Sequence, residues 1–386
     1  MAGSSPPALR DRMPVLVSVL IVVALVVVPF YLALRAKSAG NAARPPASLE
    51  SILERIPAEN PAAASRLGQD LVALGPKGVA DLAAMIVEPG DGDDSRPRAA
   101  LRAMAVYAGR PGGKADRAMF SRAAVALLSG PTAPAAKSFL LDQLPLVGGP
   151  EIVGPVANLL LDEDVGADAA LLLVTIGGDA AAKELRHALA KAQGMQRPAL
   201  IVGLGTMRDA AAVPLIRGAI ADPQQEVRLA VYFALGSIGD ASAADAILKA
   251  AVGDDAHERS MAADAALMLA QRLAEADKTD EAARIFRSLA KTSTAPQDRQ
   301  VRCAAIVGLA DLLGAGAMDD LAAAVQSDEA IREEAAAAAV KIAGGLGPPD
   351  AEAVGSAMRK VIEVSKNEDT RKAAAEILRK VEKQPK

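Results

Sequence analysis

The chain has one cysteine, two histidines, no tryptophan, three tyrosines and five phenylalanines in 386 residues. A single cysteine, Cys303, excludes an internal disulfide and a cysteine-rich zinc site. His187 and His257 lie far apart, and neither has the spacing of a histidine metal site or of a Ser-His-Asp set. The net charge of -4 lacks the strongly basic balance that nucleic acid calls for, so no nucleic-acid partner is expected. What the chain does contain is apolar but small. Its hydrophobic share is 51% with 2% aromatics, and most of it is Ala, Leu and Val. Such side chains favour helices whose axes approach closely, because Ala is the best helix former and adds little bulk between them.

One segment departs from this pattern. Residues 15–34, "VLVSVLIVVALVVVPFYLAL", carry no charge. Twenty residues at about 1.5 Å each reach about 30 Å, the thickness of a bilayer's hydrocarbon core. Pro29 is tolerated near the end of a membrane helix, and Tyr31 suits an interfacial position. The run is longer than the apolar region of a cleaved signal peptide, and "LRAKSAGNAA" supplies only a weak cleavage site. The expectation is therefore a retained single-pass anchor. Arg10 and Arg12 precede the span and Arg35, Lys37 and Arg44 follow it, so the charge rule barely discriminates between orientations. The two arginines on the short tail favour an inside N-terminus and an extracytoplasmic large domain. The predicted organisation is a tail at 1–12, a transmembrane helix at 13–35, a flexible linker at 36–48 and a repeat domain at 49–386.

The remainder repeats itself. "ALIVGLGTMRDAAAVPLI" from Ala199 aligns with "AVYFALGSIGDASAADAI" from Ala230, a shift of 31 residues. Leu204 falls on Leu235, Gly205 on Gly236, Asp209 on Asp240 and Ile216 on Ile247. The same apolar anchor recurs at Leu74, Ala105, Leu144, Val174, Leu269, Leu309, Ala339 and Leu378. Each unit holds an apolar stretch of helical period, a Gly- or Asp-containing break and a second amphipathic stretch. Such a unit cannot bury its apolar faces alone, so the fold class predicted is all-α: a solenoid of about ten helix-turn-helix units with one continuous core.

Asp222 to Leu248, "DPQQEVRLAVYFALGSIGDASAADAIL", resembles a HEAT repeat of the bacterial kind also seen in phycobilisome-lyase-like proteins. The matching residues are Asp222 and Pro223 in the turn, Val227 and Arg228 opening the helix, and Ala234, Leu235, Gly236, Ile238, Gly239 and Asp240 at its end. The unit around Leu269, with "ADKTDEAARIF", looks more like a tetratricopeptide helix pair. The resemblance implies a non-catalytic scaffold that binds a protein partner on its helical surface. Its alternatives are a lyase-like protein holding a cofactor or chromophore, or a constitutive subunit of a membrane-associated complex. The bilin-attaching activity known in that family is not carried over, because no aromatic-rich pocket bearing Cys or His is evident.

Three motifs imitate ligand sites. Gly203 and Gly205 begin G-x-G-x-x-G, but Arg208 stands where the third glycine belongs. "AGRPGGKAD" at 108–116 approaches a phosphate loop, but Ala115 replaces the magnesium-holding hydroxyl and no βαβ pattern surrounds it. "DGDD" at 91–94 lacks the ligand spacing of a calcium loop. Accordingly no cofactor, metal or catalytic set is expected. A basic residue lies seven before the anchor in most units: Arg98, Lys137, Arg197, Arg228, Arg302, Arg332 and Arg371. These form either a positive stripe for an acidic partner or a structural ladder in which each Arg ties its turn to a carboxylate, as Arg228 would to Asp222. The resemblance favours the ladder.

Overall fold

The computed structural model describes residues 47–291, 298–345 and 351–383. The apolar run at 15–34, with the tail and nearly all of the linker, lies outside the described residues. Within them the chain is helical, and after α1 (Leu49–Leu53) the helices alternate between two layers. The even layer comprises α2 (Pro61–Ala73), α4 (Ser95–Ala108), α6 (Pro134–Gln143), α8 (Gly166–Ile176) and α10 (Arg197–Thr206). It continues through α12 (Gln225–Ile238), α14 (Ala256–Glu275), α16 (Arg299–Leu313), α18 (Arg332–Ala343) and α20 (Glu368–Glu382). The odd layer holds α3 (Gly75–Ala83), α5 (Lys114–Leu128), α7 (Val153–Ala157), α9 (Gly178–Leu189) and α11 (Val213–Arg217). Its later members are α13 (Ala244–Ala250), α15 (Thr279–Lys291), α17 (Met318–Ser327) and α19 (Ala351–Val364). Each even helix packs against the next even helix, so one apolar core runs unbroken from Ile52 to Ala374.

The anchor residues explain that core. All ten fall in the even layer or at the C-caps of its helices, and Ala105, Leu144, Leu204, Leu235, Leu269, Leu309 and Ala339 are fully buried. Each buried Leu stabilises the stack by about 1.5–3 kcal/mol. In α8 the buried position is Leu173 rather than Val174, a one-residue shift that restores the spacing of 31 to Leu204. Small residues set the approach. A Cβ on Gly205 would lie 2.5 Å from the Cα of Ala234, and one on Gly236 would lie 2.6 Å from the carbonyl oxygen of Ala265. Consecutive even helices α10, α12 and α14 therefore meet backbone to backbone, which any larger side chain would prevent. Gly205, more than Gly203, is the contact glycine: a Cβ at Gly203 would meet side chains, those of Val174 and Leu185, rather than backbone.

Helix ends follow from local chemistry. The Asn60, Asp255 and Asn367 side chains accept from backbone N–H groups of the first turns of α2, α14 and α20. α10 ends with Arg208 in the left-handed region (φ 54), α12 with Gly239 (φ 87) and α14 with Asp277 (φ 57). Each turn is closed by a hydrogen bond of the same type, donated by Asp209, Asp240 and Lys278 to the carbonyls of Leu204, Leu235 and Leu273.

By length and composition Arg299–Ser327 could cross a membrane. In the fold it is two packed helices, α16 and α17, separated by a 3-10 turn at Gly314–Ala317 with Gly314 at φ 53. The buried Arg302 in α16 is ion-paired to Asp328 just beyond α17. The stretch is one unit of the array.

Candidate functional site

α12, α13 with the loop that follows it, and α14 line an open pocket of about 420 Å³. Ile220, Ala246 and Ala250 give it apolar walls, and Lys249 and Asp254 stand among its lining residues. Arg228, Tyr232 and Glu258 complete it. Arg228 is one turn into α12, Tyr232 follows four residues later on the same face, and Glu258 lies in the first turn of α14. The Arg228 guanidinium donates to both carboxylate oxygens of Glu258, Nε to Oε1 at 2.8 Å and Nη2 to Oε2 at 2.6 Å. Its Nη1 donates to the carbonyls of Asp222 at 2.9 Å and Pro223 at 3.1 Å. Tyr232 donates its hydroxyl to Glu258 Oε1 at 3.0 Å.

This set is closed on itself. The hydrogen bonds from Arg228 hold the Glu258 carboxyl below its ordinary range, and Glu258 in turn raises the Arg228 guanidinium. Burial, reinforced by the neighbouring carboxylate, pushes the Tyr232 hydroxyl up to about 12. At neutral pH all three groups are locked in one protonation state, so none of them is poised for acid–base transfer. The trio is built to hold the first turn of one unit against the next.

The other basic residues named from the sequence divide in the same way. Arg197 pairs with Asp222, and Arg302 with Asp328, each reaching into the next turn of the array. Arg98 donates to Asp94 at 2.8 Å and to the Val87 carbonyl at 3.3 Å, with its guanidinium over the Phe139 ring. Arg332 donates to the Val325 carbonyl at 2.9 Å. Lys137 is half-buried and Arg371 exposed, and neither side chain is brought to the cavity. The expected Arg228–Asp222 carboxylate pair does not form. Arg197 takes that carboxylate, while Arg228 takes the carbonyl of Asp222 and reaches forward to Glu258.

A second ladder went unread in the sequence. Arg186 pairs with Asp209 and Arg217 with Asp240, tying each odd helix to the break of the following unit. Asp209 and Asp240 also accept from the N–H groups of Ala211 and Ser242, so each caps its own short turn. The signal was present: both the arginines and the aspartates recur 31 residues apart.

The imitation sites are consumed by packing. In the 108–116 loop Arg110 donates to the Tyr107 carbonyl at 2.7 Å and pairs with Asp116 at 2.7 Å. A Cβ at Gly113 would meet the Ala108 carbonyl oxygen at 2.5 Å. In the 91–94 loop Asp94 accepts from Val87 N–H and Arg98, and Asp93 from Ser95 N–H. Among the described residues no group of three or more His, Cys, Asp or Glu is placed to hold a metal ion.

The described residues thus form a layered helical array with a period near 31 and Arg–carboxylate ties between units. Residues 195–268 match the family model described as HEAT repeats. This HEAT segment runs from the start of α10 through most of α14 and contains the whole cavity. Among solved structures, importin beta crystallised from ammonium sulfate is 13% identical with a TM-score of 0.52, covering 82% of this chain and 46% of that one. Yeast importin beta (Kap95p), in a study of its binding to RanGDP, is 11% identical with a TM-score of 0.51, covering 86% of this chain and 50% of that one. The complex of CpcE and CpcF of phycocyanin lyase from Nostoc sp. PCC7120 is 19% identical with a TM-score of 0.35, covering 61% of this chain and 87% of that one. The chain thus spans about half the length of the importin-beta structures, and at these identities the likeness is one of fold. No curated protein matches the sequence.

Proposed function

We propose that the chain is a non-catalytic scaffold, tethered to a membrane through residues 15–34, that binds a protein partner on its helical surface. The observation that carries this reading is the two-layer stack itself. Its core is continuous, several of its arginines tie one unit to the next, and apolar side chains remain on its outer faces, Leu171 at 63% exposure and Val202 at 40% among them. The uncharged run at 15–34 and the two arginines before it support attachment with the array on the extracytoplasmic side.

Attachment is tested by fractionation and alkaline extraction of cells expressing the full chain and a variant lacking residues 13–35. The full chain should stay with the membrane and the deletion should not. Recovery of both in the soluble fraction would remove the tether from the account. Orientation is tested by protease digestion of intact cells, where cleavage of the array is the expected result.

A further inference from the structure

Among the described residues, the outer face of the even layer carries a row of apolar side chains that are exposed or half-buried. Two residues before the buried anchor, successive helices present Leu171 on α8, Val202 on α10, Phe233 on α12, Leu267 on α14 and Val307 on α16. Leu171, Val202 and Val307 are exposed, and Phe233 and Leu267 are half-buried. One such side chain per helix, each at the same register position, makes a ridge that runs from helix to helix across the stack.

The same face carries unbalanced charge. Asp168 and Asp264 lie three residues before Leu171 and Leu267, and Glu226 lies seven before Phe233, so all three share the ridge's side of their helices. The arginines of α8 to α14 are already engaged: Arg197 with Asp222, Arg228 with Glu258, Arg259 with Asp298 and Arg272 with Glu275. These helices contain no lysine. Glu226 and Asp264 are exposed and Asp168 is half-buried beside the ridge, and the arginines of α8 to α14 are ion-paired to other carboxylates. Burial raises the Asp264 carboxyl, as expected where water is displaced by apolar neighbours.

The pitch of the ridge selects the shape of its occupant. Packed helices stand about 8–10 Å apart, and the backbone contacts at Gly205 and Gly236 place α10, α12 and α14 at the short end of that range. A polyproline II segment advances about 9.3 Å for every three residues. An α-helix repeats a face every turn, about 5.4 Å, so its nearest match to that spacing is two turns at about 10.8 Å, and a β-strand repeats after about 6.6 Å. Over the two intervals from α10 to α14, at about 8.5 Å, the extended polyproline form drifts by about 1.6 Å, whereas helix and strand each drift by about 4 to 5 Å, half a helix spacing.

We propose that Leu171, Val202, Phe233, Leu267 and Val307 form a docking ridge for an extended, basic segment of a partner protein. Its apolar residues fall at every third position, and its Lys or Arg residues meet Asp168, Glu226 and Asp264. The inference rests on the scaffold reading and narrows it to one face and one chemistry.

Binding is measured by fluorescence anisotropy on the purified full chain, with a labelled peptide of repeated Leu-Pro-Lys triplets long enough to cross five helices. Two comparison peptides have the same composition with leucines at irregular spacing, or Glu in place of Lys. The triplet peptide should bind about tenfold more tightly than either. The double variant Val202→Lys/Val307→Lys, whose sites are exposed and whose melting should match the wild type, should lose most of that affinity. Asp168→Lys/Asp264→Lys should shift preference towards the Glu peptide. Equal binding of the irregular peptide, or unchanged affinity in Val202→Lys/Val307→Lys, would overturn the ridge. Photo-crosslinking in cells from position 202 and, on the odd layer, position 215 separates this failure from a wider one. Capture from 202 of a segment with this spacing and charge supports the ridge. Capture from 215 alone overturns the ridge and leaves the scaffold, and capture from neither removes both.

Discussion

Arg208 offers a test of backbone conformation that involves almost no side-chain contact. It ends α10 in the left-handed region at φ 54, at the register where α12 ends in Gly239 at φ 87. Both turns close alike, Asp209 N–H donating to the Leu204 carbonyl at 3.0 Å and Asp240 N–H to the Leu235 carbonyl at 3.1 Å. The Arg208 side chain is exposed. An L side chain in this region costs about 1–2 kcal/mol. Glycine relieves that cost but raises the entropy of the unfolded chain, offsetting about 0.4–1 kcal/mol. Arg208→Gly should therefore stabilise the array by about 0.5–1 kcal/mol. Gly239→Ala has the opposite sign and is larger, because the added Cβ also stands 3.2 Å from the Arg272 Cβ. Urea unfolding followed by circular dichroism reads both, with the midpoint rising for the first variant, falling for the second, and the slope unchanged. A lower midpoint for Arg208→Gly, or a Gly239→Ala variant as stable as the wild type, would refute the reasoning.

Three further outcomes follow from the packing and the ladders. Gly236→Ala should destabilise by about 1–3 kcal/mol, because its Cβ would overlap the Ala265 carbonyl and force α12 and α14 apart; an unchanged melting temperature would argue against backbone contact there. Glu258 is held below the ordinary value of 4.5, so the native state binds fewer protons than the unfolded chain. Its stabilisation is complete above that value and is lost as pH falls through the lower folded one. The stability gap between wild type and Glu258→Gln should close on acidification over that window, as a series of urea titrations would show. Arg302 is 1% exposed and its Nε and Nη2 lack partners, so the pair it makes with Asp328 bears a full desolvation cost. Arg302→Met/Asp328→Asn should be as stable as the wild type or more so, whereas Asp328→Ala alone should cost about 3 kcal/mol by stranding the buried guanidinium.

The repeat register was legible because burial imposes it. Leu204, Leu235 and Leu309 must point inward in every unit, and a spacing near 31 shows in the apolar residues alone. The two ladders were legible only in part. Sequence places Asp222 six residues from Arg228, but a side chain chooses its partner in space, and Asp222 is nearer to Arg197 of the preceding unit. The partner of Arg228 is Glu258, 30 residues on, and the cavity they line has no local signature. The role of Gly205 was similarly out of reach, since its neighbour Ala234 belongs to the next helix. The ridge had a signal, the apolar residue two before each anchor, but exposure cannot be told from burial until the layers are known. The shift from Val174 to Leu173 in α8 shows why: a single residue there turns an inward position into an outward one.

The most direct test of the central claim is native mass measurement of the full chain purified, under mild detergent, from membranes of its own cells. The account predicts a defined complex in which a second protein is present in fixed ratio to this chain, and in which Val202→Lys/Val307→Lys leaves the chain folded but alone. A homogeneous species containing only this chain and a small molecule that it converts to product would contradict it.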